Sequence, residues 1–380
     1  MQYTTKFIGF DVSKDNIAIG IAEAGREAPR FYGTIPNTPE AIRKTIMRLS
    51  EDAHLEVCYE AGPTGYGIYR QLTVMGVSCM VVAPSLIPSR PGDKIKTDKR
   101  DALRLAQLLK SGELTATWVP TEEDETLRDL VRAREDVKED QHRARQRLLK
   151  FLLRHGLYAP QGVRNWTARY RKWLDSLKFE RQAEQLVFQE YLHALDEIEA
   201  RLEKFETEIH VQATESVHAP VIQALQTLRV VAEITATTLV AEIGEFSRFT
   251  SPKQLMAYAG LVPKEYSTGN SRWQGGITKT GNAHVRWAVT EAAWSYRYKP
   301  AIKGDLRRRQ EGQSSQVQAI AWKAQDRLHR KYFRLVSRGK SPSVAAAAVA
   351  RELLGFVWAI ACQAEKRRDE AKKMLPVAGG

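Results

Sequence analysis

Two short runs near the start of the chain are apolar and rich in β-branched and aromatic residues: KFIGFDV, Lys6 to Val12, and NIAIGIA, Asn16 to Ala22. Only Ser13-Lys14-Asp15 separates them, so the pair predicts a β-hairpin. Phe31 to Ile35 predicts a third, edge strand. Thr38 to Leu49 (TPEAIRKTIMRL) predicts a helix, with Thr38 as its cap and Pro39 in the first helical position, where a missing N–H costs nothing. Leu55 to Tyr59 and Val77 to Val82 predict two more strands, with a helix over Gly65 to Val74 between them. Another helix follows in KIKTDKRDALRLAQLLKSGEL, Lys94 to Leu114. Strands first paired, then alternating with helices, predict a mixed sheet with helices on its faces.

From about Pro120 to Ala213 the period changes. Leu192, Leu195, Ile198, Leu202, Phe205 and Ile209 recur at three or four residues, the seam of a coiled coil or long packed helix. Leu127, Leu130, Val137, Leu148 and Leu152 form a looser seam. GLYAPQGVRNW, Gly156 to Trp166, breaks the two, which predicts a long antiparallel helical hairpin. The remainder from about Val217 is alanine-rich and helical, interrupted by a polar loop within Leu261 to Val289. Glu365 to Gly380 is charged, then Pro/Gly-terminated, and predicts a frayed tail.

Composition sharpens this. The chain has 380 residues, long enough for two or three units, and 43% hydrophobic residues to build their cores. Lys and Arg number 58 against 45 Asp and Glu, a formal net charge of +13. Such an excess fits a polyanionic partner, although it also fits plain solubility. No apolar run is expected to approach the roughly 20 residues that span a bilayer, and the N-terminus lacks a signal-peptide pattern. Three cysteines, Cys58, Cys79 and Cys362, without a CxxC pair, fit core positions in a reducing cytosol and suggest no zinc motif.

Against this basic background four acids stand out. Asp11 closes the first strand and Glu60 closes a later one. Asp98 and Asp101 share one face of a helix at its first turn. Each has an ordinary explanation: the helix pair favours the macrodipole, Asp11 can open a turn with Ser13, and Glu60 can cap the following helix. Taken together they can meet at one sheet edge, where repelling carboxylates need a cation. Hard oxygen donors suit Mg²⁺ or Mn²⁺, and two such ions clamp the attacking and leaving oxygens of a phosphodiester. Lys94, Lys96, Lys99 and Arg100 surround the pair and fit phosphate contact.

The polar loop GLVPKEYSTGNSRWQGGITKTGNAHVR carries hydroxyls at Ser267, Thr268 and Ser271, glycines at Gly269, Gly275 and Gly276, and cations at Lys264, Arg272, Lys279 and Arg286. A hydroxyl nucleophile beside cations suits phosphoryl transfer. An ordinary surface loop reads the same way.

FIGFDVSKD, YEAGPTGYGIYRQL and KTDKRDALRLAQLL, in this order and spacing, resemble the N-terminal domain of the IS110-family transposases, and the polar segment resembles that family's C-terminal block. The resemblance covers nearly the whole chain. It implies a RuvC-like, ribonuclease-H-type domain over 1–118, a helical coiled-coil hairpin over 119–214, a mostly helical transposase domain over 215–364 and a tail over 365–380. It implies a metal-binding DEDD set at Asp11, Glu60, Asp98 and Asp101 and a serine nucleophile, placed at Ser267 with Thr268 as the alternative. It also implies DNA as substrate, a noncoding bridge RNA as guide, and a dimer or tetramer. Where relatives show a helix-hairpin-helix-like stretch with glycines at its turn, this chain reads Val230 to Glu233.

Three rivals remain on sequence. A RuvC-type junction endonuclease would cut with metals alone and would not need Ser267. An actin-like ATPase shares the strand–Asp–hairpin start but requires glycine-rich phosphate loops that are not present here. A non-catalytic nucleic-acid-binding protein would use the basic helices without cleavage.

Overall fold

The computed structural model describes residues 4–88, 97–269 and 271–374, with side chains to residue 370. The chain divides into two compact units, residues 1–120 and 121–380.

The first unit is built on a five-stranded mixed sheet of order β3-β2-β1-β4-β5. β1 (Thr4–Val12) and β2 (Asn16–Glu23) form the expected hairpin, and β3 (Arg30–Pro36) is the edge strand beside β2. Helix α1 (Pro39–Ser50) follows; Thr38 accepts a hydrogen bond from the Ala41 N–H and Pro39 occupies the first turn. β4 (Ala53–Glu60) lies parallel to β1, α2 (Gly67–Val74) returns, and β5 (Ser78–Val82) lies parallel to β4. Helix α3 (Asp98–Lys110) closes the unit, with Thr97 accepting from the Arg100 N–H. Strand alternation sorts the faces. Ile8, Phe10, Val57 and Tyr59 bury against α1 and α2 residues such as Ile42, Ile46 and Leu72. Phe7, Cys58 and Val82 face Leu105 and Leu109 of α3.

Two glycines set how closely α3 lies on the sheet. A Cβ on Gly9 would stand 2.4 Å from the Ala102 carbonyl oxygen, and one on Gly20 would stand 2.5 Å from the same atom. Only glycine allows that approach.

The second unit is helical. α4 (Glu122–Arg154) starts with a capping box between Thr121 and Asp124. α5 (Ala168–Ser176) bridges to α6 (Gln182–Glu215). Arg134 pairs with Glu206 and Arg145 with Glu199, while Leu127 and Val131 pack near Ile209 and Leu148 near Leu192. The order reverses along the two helices, so they are antiparallel, and the seam residues Leu192, Leu195, Leu202 and Ile209 are buried. Then follow α7 (Ala219–Leu225), α8 (Glu233–Ile243), α9 (Pro252–Tyr258), β6 (Pro263–Thr268), β7 (Ser271–Ile277), α10 (Ala283–Ala293), α11 (Gly304–Gln310), α12 (Ser315–Ser337) and α13 (Pro342–Met374).

Three expectations change here. The polar loop is in fact a two-stranded antiparallel hairpin, β6–β7, with Gly269 at φ 56° in its turn. The tail expected from Glu365 remains helical to Met374. Glu365 is buried, and its carboxylate accepts the backbone N–H groups of Phe246 (2.7 Å) and Ser247 (2.9 Å), which anchors the helix. An apolar stretch of near-bilayer length does exist, at Pro342–Glu370. Its Val349, Leu353, Val357 and Ile360 are fully buried in the largest core of the second unit, which accounts for their hydrophobicity.

Candidate active site: an acidic sheet edge and a serine-bearing ribbon

The four acids reach one end of one sheet face by three separate constraints. Phe10 pairs with Tyr59 across parallel strands, so one further residue brings Asp11 and Glu60 alongside at the strands' carboxyl ends. Gly9 and Cys58, two residues earlier, lie beneath α3, with Cys58 Sγ 3.6 Å from the Leu105 oxygen. Period-two alternation therefore directs Asp11 and Glu60 to the α3 side. The direction of α3 supplies the third constraint. Lys110 at its C-terminal end donates to the Glu27 oxygen at 3.0 Å, just past the end of β2, and Glu23 of β2 pairs with Lys6 at the start of β1. The N-terminal turn of α3 therefore lies toward the end of β1 that carries Asp11. Asp98 and Asp101 extend, one turn earlier, the stripe Ala102, Leu105, Ala106 and Leu109 that packs on the sheet.

Asp11, Glu60 and Asp101 are half-buried and Asp98 is exposed. Among the described residues, no group of three or more His, Cys, Asp or Glu is close enough to hold a metal ion. The acids thus share an edge without forming a finished cage. The donor chemistry fits a hard divalent cation: the set is all carboxylate, with no thiolate or imidazole among it. Of the nearby cations, Lys99 lies over the Phe31 ring at 5.4 Å from its centroid, and Arg100 is exposed in the first turn of α3. Lys94 and Lys96 fall outside the described residues.

Ser267 lies on β6, opposite Arg272 of β7. The ribbon has two different faces. On one, the Tyr266 and Trp273 rings pack 5.5 Å apart and are largely exposed. Gly275 permits this, since a Cβ there would stand 2.8 Å from the Trp273 ring. On the other face, Ser267 Oγ donates to Glu265 Oε1 at 2.9 Å. Arg272 donates to both Glu265 oxygens, at 2.9 and 3.2 Å, and Gln274 donates to Oε2 at 3.1 Å. Hydrogen bonds from Arg272, then Gln274 and Ser267, lower the Glu265 carboxyl to about 2. Glu265 is a residue the sequence reading missed. Two positions before Ser267 it shares a strand face, a relation hidden while the segment was read as a loop. Thr268 lies opposite Ser271, next to the turn.

The expected phosphate-binding cations of this segment divide. Arg272 is engaged with Glu265. Arg286 donates to the Ala259 oxygen at 2.9 Å, bracing the base of the ribbon, where Gly260 and Gly281 pass within 2.3 Å and 2.2 Å of backbone oxygens if given a Cβ. Lys264 and Lys279 are exposed, Lys279 in the left-handed region at φ 58°.

Behind the ribbon lies a buried polar connection. Asn282 caps α10 and donates to Glu242 Oε2 at 2.7 Å, and Arg132 of α4 donates to both Glu242 oxygens at 2.7 and 3.0 Å. Burial pushes the Glu242 carboxyl up, but the hydrogen bonds from Arg132 and Asn282 outweigh it and leave it lowered. The glycine-poor turn between α7 and α8 places Val230 at φ 63°, a strained position for a β-branched residue. Arg309 holds that turn through the Gln226 and Val231 oxygens at 2.9 and 2.8 Å.

Residues 8–156 match the family model of the DEDD transposases of the IS110 type, and residues 222–305 match that of the IS116/IS110/IS902 transposase family. A putative transposase, y4qE, of Sinorhizobium fredii is 46% identical over 96% of this chain and 90% of its own length. The transposase of insertion sequence element IS1533 from Leptospira borgpetersenii is 32% identical over 88% of this chain and 97% of its own length. That of IS1111A from Coxiella burnetii is 24% identical over 76% of this chain and 77% of its own length. DEDD transposases as a class depend on divalent metal ions and bind DNA, and their N-terminal domain is RuvC-like, in agreement with the mixed sheet. The chain belongs to the IS110 family of DNA transposases.

Proposed function

We propose that this transposase cuts and rejoins DNA through Ser267, with a divalent ion, Mg²⁺ or Mn²⁺, held by Asp11, Glu60, Asp98 and Asp101, and with its target chosen by an RNA encoded by the element. What supports the acidic half is that strand register and the direction of α3 put all four acids toward one end of one sheet face. A bound divalent ion supplies charge neutralisation at the scissile phosphate there.

Ser267 Oγ forms a bond to phosphorus as one P–O ester bond of the DNA breaks. The serine hydroxyl loses its proton and the departing DNA oxygen gains one. The phosphodiester energy is kept in the protein–DNA link and is recovered when a second strand's hydroxyl displaces the serine. Glu265, lowered to about 2, is too weak a base to take that proton efficiently; it orients the hydroxyl. An RNA guide reads sequence by pairing and leaves the protein to hold backbone, a division that suits a net charge of +13. Strand exchange requires two cut sites and therefore at least a dimer of this chain. Such a reaction belongs in the bacterial cytoplasm, a compartment that also keeps three unpaired cysteines reduced.

The metal-only endonuclease reading draws support from one observation, that Ser267 already spends its hydroxyl hydrogen on Glu265. One experiment separates the two. The protein, copurified with the element's noncoding RNA, is incubated with DNA carrying the element's ends, with Mg²⁺ or with chelator. The proposal expects strand joining with Mg²⁺, none with chelator, and none for Ser267→Ala. Cleavage that persists in Ser267→Ala would leave the metal-only reading standing.

A further inference from the structure

α4 and α10 enclose a groove of about 540 Å³, of the size that takes small planar ligands. It lies within the second unit and is separate from the four acids and from Ser267, although α10 begins directly where the ribbon returns. Three features of its lining stand out. Trp287 is 56% exposed, an unusual state for a large aromatic on an otherwise well-packed helix. Its neighbours Val285, Ala288 and Val289 are buried, so packing alone does not explain a tryptophan at this position. Glu135 Oε2 is bonded to His284 Nδ1 at 2.5 Å, while Glu135 Oε1 is buried and has no hydrogen-bond partner among the described residues. Arg134, Lys138, Glu139, His142 and Arg143 complete the α4 side, with Arg134 paired to Glu206 and Arg143 to Glu139 and Asp140.

A buried carboxylate oxygen without a donor is costly. The hydrogen bond that His284 donates to Glu135 raises the imidazole pKa against the opposing effect of burial, so His284 holds the carboxylate in place by one oxygen and leaves the other for a ligand. Turning the terminal torsion moves both oxygens together, so a donor in the groove must reach Oε1 with Oε2 still on His284. The missing partner is thus an N–H group on a flat, apolar body that stacks on an indole face, attached to an anion that basic side chains at the rim can meet. An unpaired nucleotide has all three parts. Carboxylates accept from exocyclic amines such as cytosine N4, and stacking on tryptophan tolerates any base.

We propose that the α4–α10 groove holds one unpaired nucleobase bearing an exocyclic amino group, cytosine or adenine. The base stacks on Trp287, its amine donates to Glu135 Oε1, and its phosphate lies toward Lys138, which donates to the neutral Gln141, and away from Glu139. The site rests on the reading of this chain as a nucleic-acid enzyme but is independent of which residue is the nucleophile. It favours amino-bearing bases over thymine or uracil, whose one donor, the ring N3–H, is flanked by two carbonyls that would face the carboxylate acceptor to acceptor.

The test is equilibrium binding by fluorescence anisotropy on the full chain carrying Ser267→Ala, so that cleavage plays no part. The probes are labelled 12-mers of dC, dA and dT, with rC and rU to tell DNA from RNA, all at one salt concentration. The proposal expects dC and dA to bind about tenfold tighter than dT, and Trp287→Ala to weaken dC by about tenfold while Trp287→Phe retains most of it. Glu135→Gln, which can donate as well as accept, is expected to remove the preference for dC over dT without lowering thermal stability by more than a few degrees. A larger difference between rC and rU than between dC and dT assigns the site to the RNA; the reverse assigns it to DNA. Equal binding of dC and dT by the Ser267→Ala protein, or no effect of Trp287→Ala on any probe, overturns the proposal. So does a change of oligomeric mass in Trp287→Ala with unchanged affinities, which would assign the groove to a second copy of the chain. None of these outcomes alters the strand-joining result for Ser267 itself.

Discussion

The acidic edge and the serine ribbon are held in place by different physics. Asp11, Glu60, Asp98 and Asp101 are carried by strand register and by a helix seated on Gly9 and Gly20, so the first unit's core sets their positions. Ser267 stands on a two-stranded ribbon whose residues are nearly all exposed, and its partners are Glu265, Arg272 and Gln274 on the same ribbon. The acids are placed but have not closed to metal-binding distance; the serine is fully hydrogen-bonded but locally supported. The acids thus take their precision from a core, and the serine takes its adjustability from its ribbon. Two-stranded ribbons are marginal on their own, so the serine can move to a substrate at little cost.

The comparison can be broken most severely at the acids. Asp101→Asn removes one charge from the set without changing its shape, and strand joining should fall by about 10²–10³-fold while the melting temperature holds; a single-turnover assay measures it. Next in size is the seat of α3. Gly9→Ala forces a methyl group against the Ala102 carbonyl, and the first unit should lose about 1–3 kcal/mol of stability in urea unfolding, with joining lost as α3 shifts. A smaller effect belongs to the ribbon. Glu265→Gln keeps the size but loses the charged acceptor for Ser267 and Arg272. Joining should drop by about tenfold, and because the site is exposed, the melting temperature should hold. The smallest is the His284–Glu135 pair. The His284 pKa is raised in the folded state, so its contribution is fully present below the ordinary value of 6.5 and is lost as pH rises through the folded value. Thermal melts from pH 6 to 9 should show a decline that His284→Gln lacks. Partial exposure limits the difference to about 1–2 °C.

Much of the first unit was legible because its signals are local. Thr38-Pro39 and Thr97 are helix starts that need no tertiary context, and the β1–β2 hairpin follows from two apolar runs separated by three polar residues. Asp11 and Glu60 stood out because they lie at strand ends, and Asp98 and Asp101 because they open a helix; grouping them as one set rested on the family resemblance. The ribbon was not, because PKEYST and SRWQGGI lack apolar alternation; their pairing rests on Tyr266 against Trp273 and on a salt-bridged polar face, with almost nothing buried. Long-range partners were also beyond reach. Glu135 and His284 lie 149 residues apart, and Arg132 and Glu242 lie 110 apart, with no local mark on either pair. The apolar run of α13 was overlooked because alanine-rich stretches broken by single polar residues do not look like a continuous span, yet one face of it, including Val349, Leu353, Val357 and Ile360, is fully buried.

The central claim is that Ser267 becomes joined to DNA under the control of the acidic edge. The most direct measurement traps the reaction by denaturation, digests the protein with trypsin and locates any nucleotide-bearing peptide by mass spectrometry, in the wild type, Ser267→Ala and Asp101→Asn. The account predicts a nucleotide phosphate on Ser267 in the wild type, absent from both variants. DNA cleavage with no nucleotide-bearing peptide, or with the nucleotide on Thr268, would contradict it.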